Sequence, residues 1–143
     1  MPIMYIAGEL LNAHKLTYEE GIKNWENVVE IAHKITQKGW TAEIPHNSIF
    51  MWKYLKDKFG VDLPHEYWMQ QDSGKIKVCQ ALYFVSHSRG ADMELQYALD
   101  NDMKVYTSID QVPTVPVEDC LLKVPITTKP YTIDEVEGNQ DNN

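Results

Sequence analysis

The chain has 143 residues, 43% of them hydrophobic, and a formal net charge of -8. That length suits one domain with a real core, and the composition excludes a disordered chain. An acidic balance without a basic run argues against a nucleic-acid polymer as partner, and no stretch reaches membrane-spanning length.

Two isolated cysteines, Cys79 and Cys120, fit neither a disulfide framework nor a zinc site. The expected setting is therefore a soluble protein in a reducing cytoplasm, with a small molecule as its partner.

In chain order, residues 3–7 read as an apolar strand closing on Gly8, and 9–15 as a loop. Thr17 and Glu20 form a Thr-x-x-Glu capping box. Ile22, Trp25, Val28, Val29, Ala32 and Ile35 follow at helical spacing, and Gly39 ends that helix. A short strand over 40–44 is stopped by Pro45, and an aromatic-rich helix spans 47–59. After a turn at 60–64, a helix is expected from 65 toward 78, with Ser73-Gly74 as a point of weakness. Ala81-Leu82-Tyr83-Phe84-Val85 reads as a buried strand. Ser88 then N-caps a helix in which Ala91, Leu95, Ala98 and Leu99 recur. A last strand over 104–107 leads to a helical turn at 108–111. Prolines at 113, 116, 125 and 130 then argue against regular structure, apart from an edge-strand candidate at 121–124. The organisation read from this pattern is an α/β domain over 1–112, an extension over 113–133 and an acidic, disordered tail over 134–143.

Strands alternating with helices imply an α/β, Rossmann- or flavodoxin-like fold, a mainly parallel sheet with helices on both faces. Ligands of such sheets sit at the carboxyl ends of the strands. That rule gathers Tyr5, Gly8, His46, Ser86, Ser88, Arg89, Gly90 and Ser108 around one crevice. A helix opened by Ser88 offers free N–H groups and the positive dipole end to an anion, and Gly90 admits a ligand close to them. Glu94 lies six residues beyond Ser88, roughly 9 Å along the axis, and its side chain leans back toward the mouth.

Each candidate also has an ordinary reading. Glu94 suits a solvated helix face, and His46 suits a cap on the helix that follows it. Asp92 suits a hydrogen bond inside its turn, and His87 an exposed loop position. Trp52, Tyr67 and Trp68 read as core or subunit interface before they read as stacking platforms for a base. The histidines at 14, 33, 65 and 87 lack metal-ligand spacing, so neither a metal nor a cofactor is expected.

Tyr5-Ile6-Ala7-Gly8, the helix carrying Asn27, Pro45-His46, Asp72 and Ser88-x-Gly90-Ala91-Asp92-x-Glu94 together resemble the nucleoside 2-deoxyribosyltransferase superfamily, which also contains the 2′-deoxynucleoside 5′-phosphate N-hydrolases. The likeness runs from about residue 3 to 108. It implies Glu94 as the nucleophile on the anomeric carbon, Asp72 as the carboxylate serving the leaving base and Tyr5 as the group orienting the nucleophile. It implies a phosphate-binding turn at Ser88 and Gly90, a position where the nucleoside transferases tend to carry aspartate. It also implies a homodimer in which Ser108 reaches the neighbouring site. Glu9-Leu10-Leu11 departs from the polar and basic residues of the hydrolases, leaving Arg89 as the candidate cation.

The expected activity is cleavage of an N-glycosidic bond, by hydrolysis or base transfer, in a (deoxy)nucleoside or its 5′-monophosphate. The helix dipole is expected to keep Glu94 ionised. The alternatives are a non-catalytic nucleotide-binding protein and a glycohydrolase of NAD- or ADP-ribose-type substrates.

Overall fold

The computed structural model describes residues 2–13 and 15–116. Four strands, β1 (Ile3–Ala7), β2 (Thr41–Glu43), β3 (Ala81–Phe84) and β4 (Lys104–Tyr106), form one sheet in the order β2-β1-β3-β4. Every pairing is parallel, with Tyr5 opposite both Glu43 and Leu82. Four helices connect and cover the strands: α1 (Tyr18–Gln37), α2 (Ser48–Phe59), α3 (His65–Ile76) and α4 (Arg89–Asp100). This is the α/β, flavodoxin-like arrangement read from the strand–helix alternation.

Side-chain alternation in the two central strands divides the core between the faces. Met4, Ile6, Ala81 and Tyr83 point to one face, where they pack with Val28, Ala32 and Ile35 of α1. Tyr5, Ala7 and Leu82 point to the other, against Ile76 of α3 and Ala91 and Ala98 of α4. Tyr5 is therefore committed by strand parity to the face that α4 covers.

The predicted helix ends follow from local chemistry. Thr17 accepts the amide of Glu20, and the Glu20 carboxylate accepts the amide of Thr17 in return. Gly39, at φ +93°, turns the chain out of α1 in a conformation that a side chain resists. Ser88 accepts the amide of Ala91 at 3.1 Å and opens α4. Ser73-Gly74 does not break α3. Both residues face solvent, and the helix runs on to its buried anchor Ile76.

Other boundaries are shorter than the pattern suggested. The strand expected over 40–44 is Thr41–Glu43, and Pro45–Asn47 forms a 3₁₀ turn before α2. Leu99, expected on the buried stripe of α4, is 56% exposed. No helix among the described residues is long and apolar enough to cross a membrane. His14, Cys120, the candidate strand at 121–124 and the tail at 134–143 lie outside the described residues.

Candidate active site

β1 and β3 are neighbours in the sheet, but the chain leaves them toward opposite faces. From β1 it runs into α1, and from β3 into α4. The loops beyond their carboxyl ends therefore diverge, and a crevice opens between them. The two loops stay tied at their base. The Glu9 amide donates to Ser86 Oγ at 2.9 Å, and the Val85 amide donates to the Ala7 carbonyl at 2.7 Å. Gly8 is required there, because a Cβ would stand 3.0 Å from Val85 Cβ and 3.3 Å from Ser86 Oγ.

Above this floor lies a cleft of about 700 Å³, counting the solvent at its mouth. The loop after β1 contributes Leu10 and Leu11, the 3₁₀ turn contributes His46, α3 contributes Trp68, Met69 and Asp72, and α4 contributes Gly90 and Glu94. Ser88 and Gly8 also line it.

Glu94 reaches the cleft because Ala91, Glu94, Leu95 and Ala98 form the sheet-facing stripe of α4, spaced i, i+3, i+4, i+7. A carboxylate therefore occupies a position that the helix otherwise gives to apolar residues. The Tyr5 hydroxyl donates a hydrogen bond to Glu94 Oε2. Burial and the neighbouring carboxylates push the Tyr5 phenol far above its ordinary range, so it acts only as a donor.

Both carboxyl groups are shifted toward their neutral forms. Burial raises Glu94 from 4.5 to about 8, and the charge of Asp72 adds to the rise while the Tyr5 hydroxyl opposes it. Burial raises Asp72 from 3.8 to about 7, against the pull of Lys75 and with a further push from Glu43. The expectation that the helix dipole holds Glu94 ionised is corrected here. Glu94 is the sixth residue of α4, beyond the first turn where the dipole acts, and desolvation dominates.

No family model, curated protein or solved structure matches this chain.

The remaining sequence candidates separate into two sets. His46 lines the cleft, is 2% exposed and donates from Nε2 to the Gly8 carbonyl at 3.0 Å. Burial lowers its pKa to about 4, so the ring is neutral. Ser86 lies at the base of the cleft as the acceptor for Glu9 rather than in its wall. Arg89 is exposed and outside the lining. Asp92 turns away to accept from, or pair with, His87 Nδ1 at 2.7 Å. Ser108 is exposed beyond β4 and outside this chain's cleft.

The structure also brings in Trp52, His65, Trp68 and Met69; the sequence points to the two tryptophans as core or interface before base contacts and does not single out His65 or Met69 as ligand contacts. A signal for three of them is present in the sequence. His65, Trp68, Met69 and Asp72 are spaced i, i+3, i+4, i+7, so they share one face of α3 with the candidate acid. Among the described residues, no group of three or more His, Cys, Asp or Glu side chains is arranged to hold a metal ion.

Proposed function

We propose that this protein cleaves the N-glycosidic bond of a (deoxy)nucleoside or its 5′-monophosphate, with Glu94 as nucleophile and Asp72 as acid. The observation that carries the reading is the pair of half-buried carboxyl groups in one cleft, one of them held by a buried phenol. Two carboxyl groups in different surroundings are what an anomeric displacement uses. The family resemblance assigns them the same roles.

In the first step a Glu94 oxygen bonds to the anomeric carbon and the carbon–nitrogen bond breaks. The electron pair leaves with the base nitrogen, which takes the proton of Asp72. The Tyr5 hydroxyl holds the attacking carboxylate in place and stabilises its charge. In the second step water or another base attacks the same carbon and the ester bond to Glu94 breaks. Asp72, now a carboxylate, accepts the proton of the incoming nucleophile. Trp68 and Met69 supply apolar walls suited to a flat base.

The reading includes a homodimer and a cytoplasmic setting, which rest on the resemblance and on the sparse cysteines. A panel of nucleosides, deoxynucleoside monophosphates and NAD, assayed for free base, tests the activity. Release is expected from wild type and not from Glu94→Ala; release that survives the substitution removes Glu94 as nucleophile. A second free base that becomes a new nucleoside marks a transferase. Sedimentation tests the dimer, and a clean monomer removes Ser108 from the site.

A further inference from the structure

The proposed function leaves open whether the sugar's 5′ position is phosphorylated, and the polar atoms of the cleft bear on that choice. Among the described residues no lysine or arginine lines the cleft, whereas two carboxyl groups do. Arg89, the nearest cation in sequence to the α4 turn, is exposed and outside the lining. Lys75, the cation that Asp72 feels, stands 3.9 Å from the Glu43 carboxylate and also lies outside the lining.

The neutral groups show the same preference. His46 donates from Nε2 to the Gly8 carbonyl, which leaves Nδ1 as a bare acceptor. That nitrogen is buried and has no partner, although the ring lines the cleft. A ligand N–H or O–H reaching it would supply the missing bond. Trp68 Nε1, on α3, is a buried donor with no partner, and a ligand acceptor would supply its bond. An unmade bond at either atom leaves a desolvated polar group, costing roughly 1–3 kcal/mol.

A phosphate ester near neutral pH carries about -1.5 to -2 charges and offers mainly acceptors. Against it stand the first-turn amides of α4, equivalent to about half a positive charge. The ionised Glu94 that the reaction needs already outweighs that half charge. A dianion beside the two carboxyl groups would also favour their protonated forms, removing the nucleophile. A nucleoside carries no such charge, and its hydroxyl and amino groups supply the donors that His46 and the carboxylates lack.

We propose that the cleft is built for an uncharged nucleoside and discriminates against the 5′-monophosphate, with His46 Nδ1 and Trp68 Nε1 as the neutral atoms that read the ligand. This rests on the glycosidase reading for its choice of nucleosides but not for the discrimination, which follows from charge and unpaired donors and acceptors.

The test compares a nucleoside with its own 5′-monophosphate at pH 7.5 on the intact protein. Base release is expected to favour the nucleoside by roughly ten-fold or more in kcat/KM. Trp68→Phe, which keeps the ring shape and removes the N–H, is expected to lower that value roughly ten-fold. Equal or faster release from the monophosphate overturns the proposal and leaves the glycosidase reading standing. An unchanged rate in Trp68→Phe removes Trp68 from it. If neither compound releases base, both are titrated into the same protein by calorimetry without turnover. Tighter binding of the nucleoside then supports the proposal while the glycosidase reading fails; tighter binding of the monophosphate, or no binding of either, overturns it.

Discussion

Replacing Glu94 by Gln is predicted to stabilise the protein, by an amount that grows with pH. In the unfolded chain this carboxyl titrates near its ordinary 4.5, and in the folded protein near 8. A group whose folded pKa is raised gives its full stability only below the unfolded value and loses it as pH climbs to the folded value. At about 1.4 kcal/mol per pH unit, Glu94 therefore costs under about 1 kcal/mol at pH 5, about 3 kcal/mol at pH 7 and about 5 kcal/mol above pH 8. Glutamine keeps the shape and accepts from Tyr5 but does not titrate. Its pH-independent cost, the weaker bond to the phenol and a new buried amide, is the same at every pH and cancels from the comparison. Urea denaturation of both proteins at pH 5, 7 and 9 reads the result. The difference in unfolding free energy is expected to move in the variant's favour by about 4 kcal/mol between pH 5 and pH 9. By melting, that corresponds to roughly 10 °C in a chain of this size. Loss of the Glu94 charge also eases Asp72, which acts in the same direction. A difference that stays flat from pH 5 to pH 9 would refute the claim that burial holds this carboxyl neutral.

The same two groups set the pH dependence of the proposed reaction. Glu94 must be ionised and Asp72 protonated, so with shifts to about 8 and about 7 the rate follows a narrow bell centred near pH 7.5. A plateau extending above pH 9 would exclude Asp72 as the acid. Tyr5→Phe removes the donor that opposes the rise in Glu94, so the basic limb is expected to move to higher pH and the maximum to fall, while the acid limb, set by Asp72, stays nearly fixed. Its kcat at pH 7 is expected to fall roughly ten- to hundred-fold, the worth of a hydrogen bond to a charged group. Gly39→Ala is expected to cost about 3 kcal/mol, because the new Cβ would stand 2.2 Å from the Val115 carbonyl oxygen at a positive φ. Normal denaturation of that variant would contradict the packing of 115 over the end of α1. Ser88→Ala removes the bond to the Ala91 amide and is expected to cost about 1 kcal/mol, read by the same denaturation.

Which parts of this protein were legible beforehand depends on how local their causes are. The cap at Ser88 and the helical spacing of α4 are properties of one helix, and they set Glu94 near the mouth of the crevice, although the apolar stripe read from the sequence did not include it. Parity along β1 separated Tyr5 from Met4 and Ile6, but nothing local says which helix covers which face. That depends on the strand order, a long-range outcome. The protonation of Glu94 is hidden from the sequence for a related reason. A helix dipole is visible in a sequence, but the desolvation that overrides it arises where the fold sets the side chain beside Tyr5 of β1 and Asp72 of α3. The aromatic wall on α3 was hidden by composition, since Trp68 suits a core as well as a cleft until Asp72 is seen on the same face.

Burial of Glu94 has little structural return to offset its cost. The stripe of Ala91, Leu95 and Ala98 would be continued by an apolar residue at 94, which would need no proton and lose no hydration. The carboxylate accepts a side-chain hydrogen bond from Tyr5, and a phenylalanine at 5 would remove the need for it. An apolar pair at these two positions is therefore the cheaper way to build this fold. Asp72 repeats the pattern on α3, a half-buried carboxyl raised by desolvation and facing the same cleft. Two such departures from the economical sequence, meeting at a crevice that the sheet order opens, support the proposed chemistry over a purely structural role.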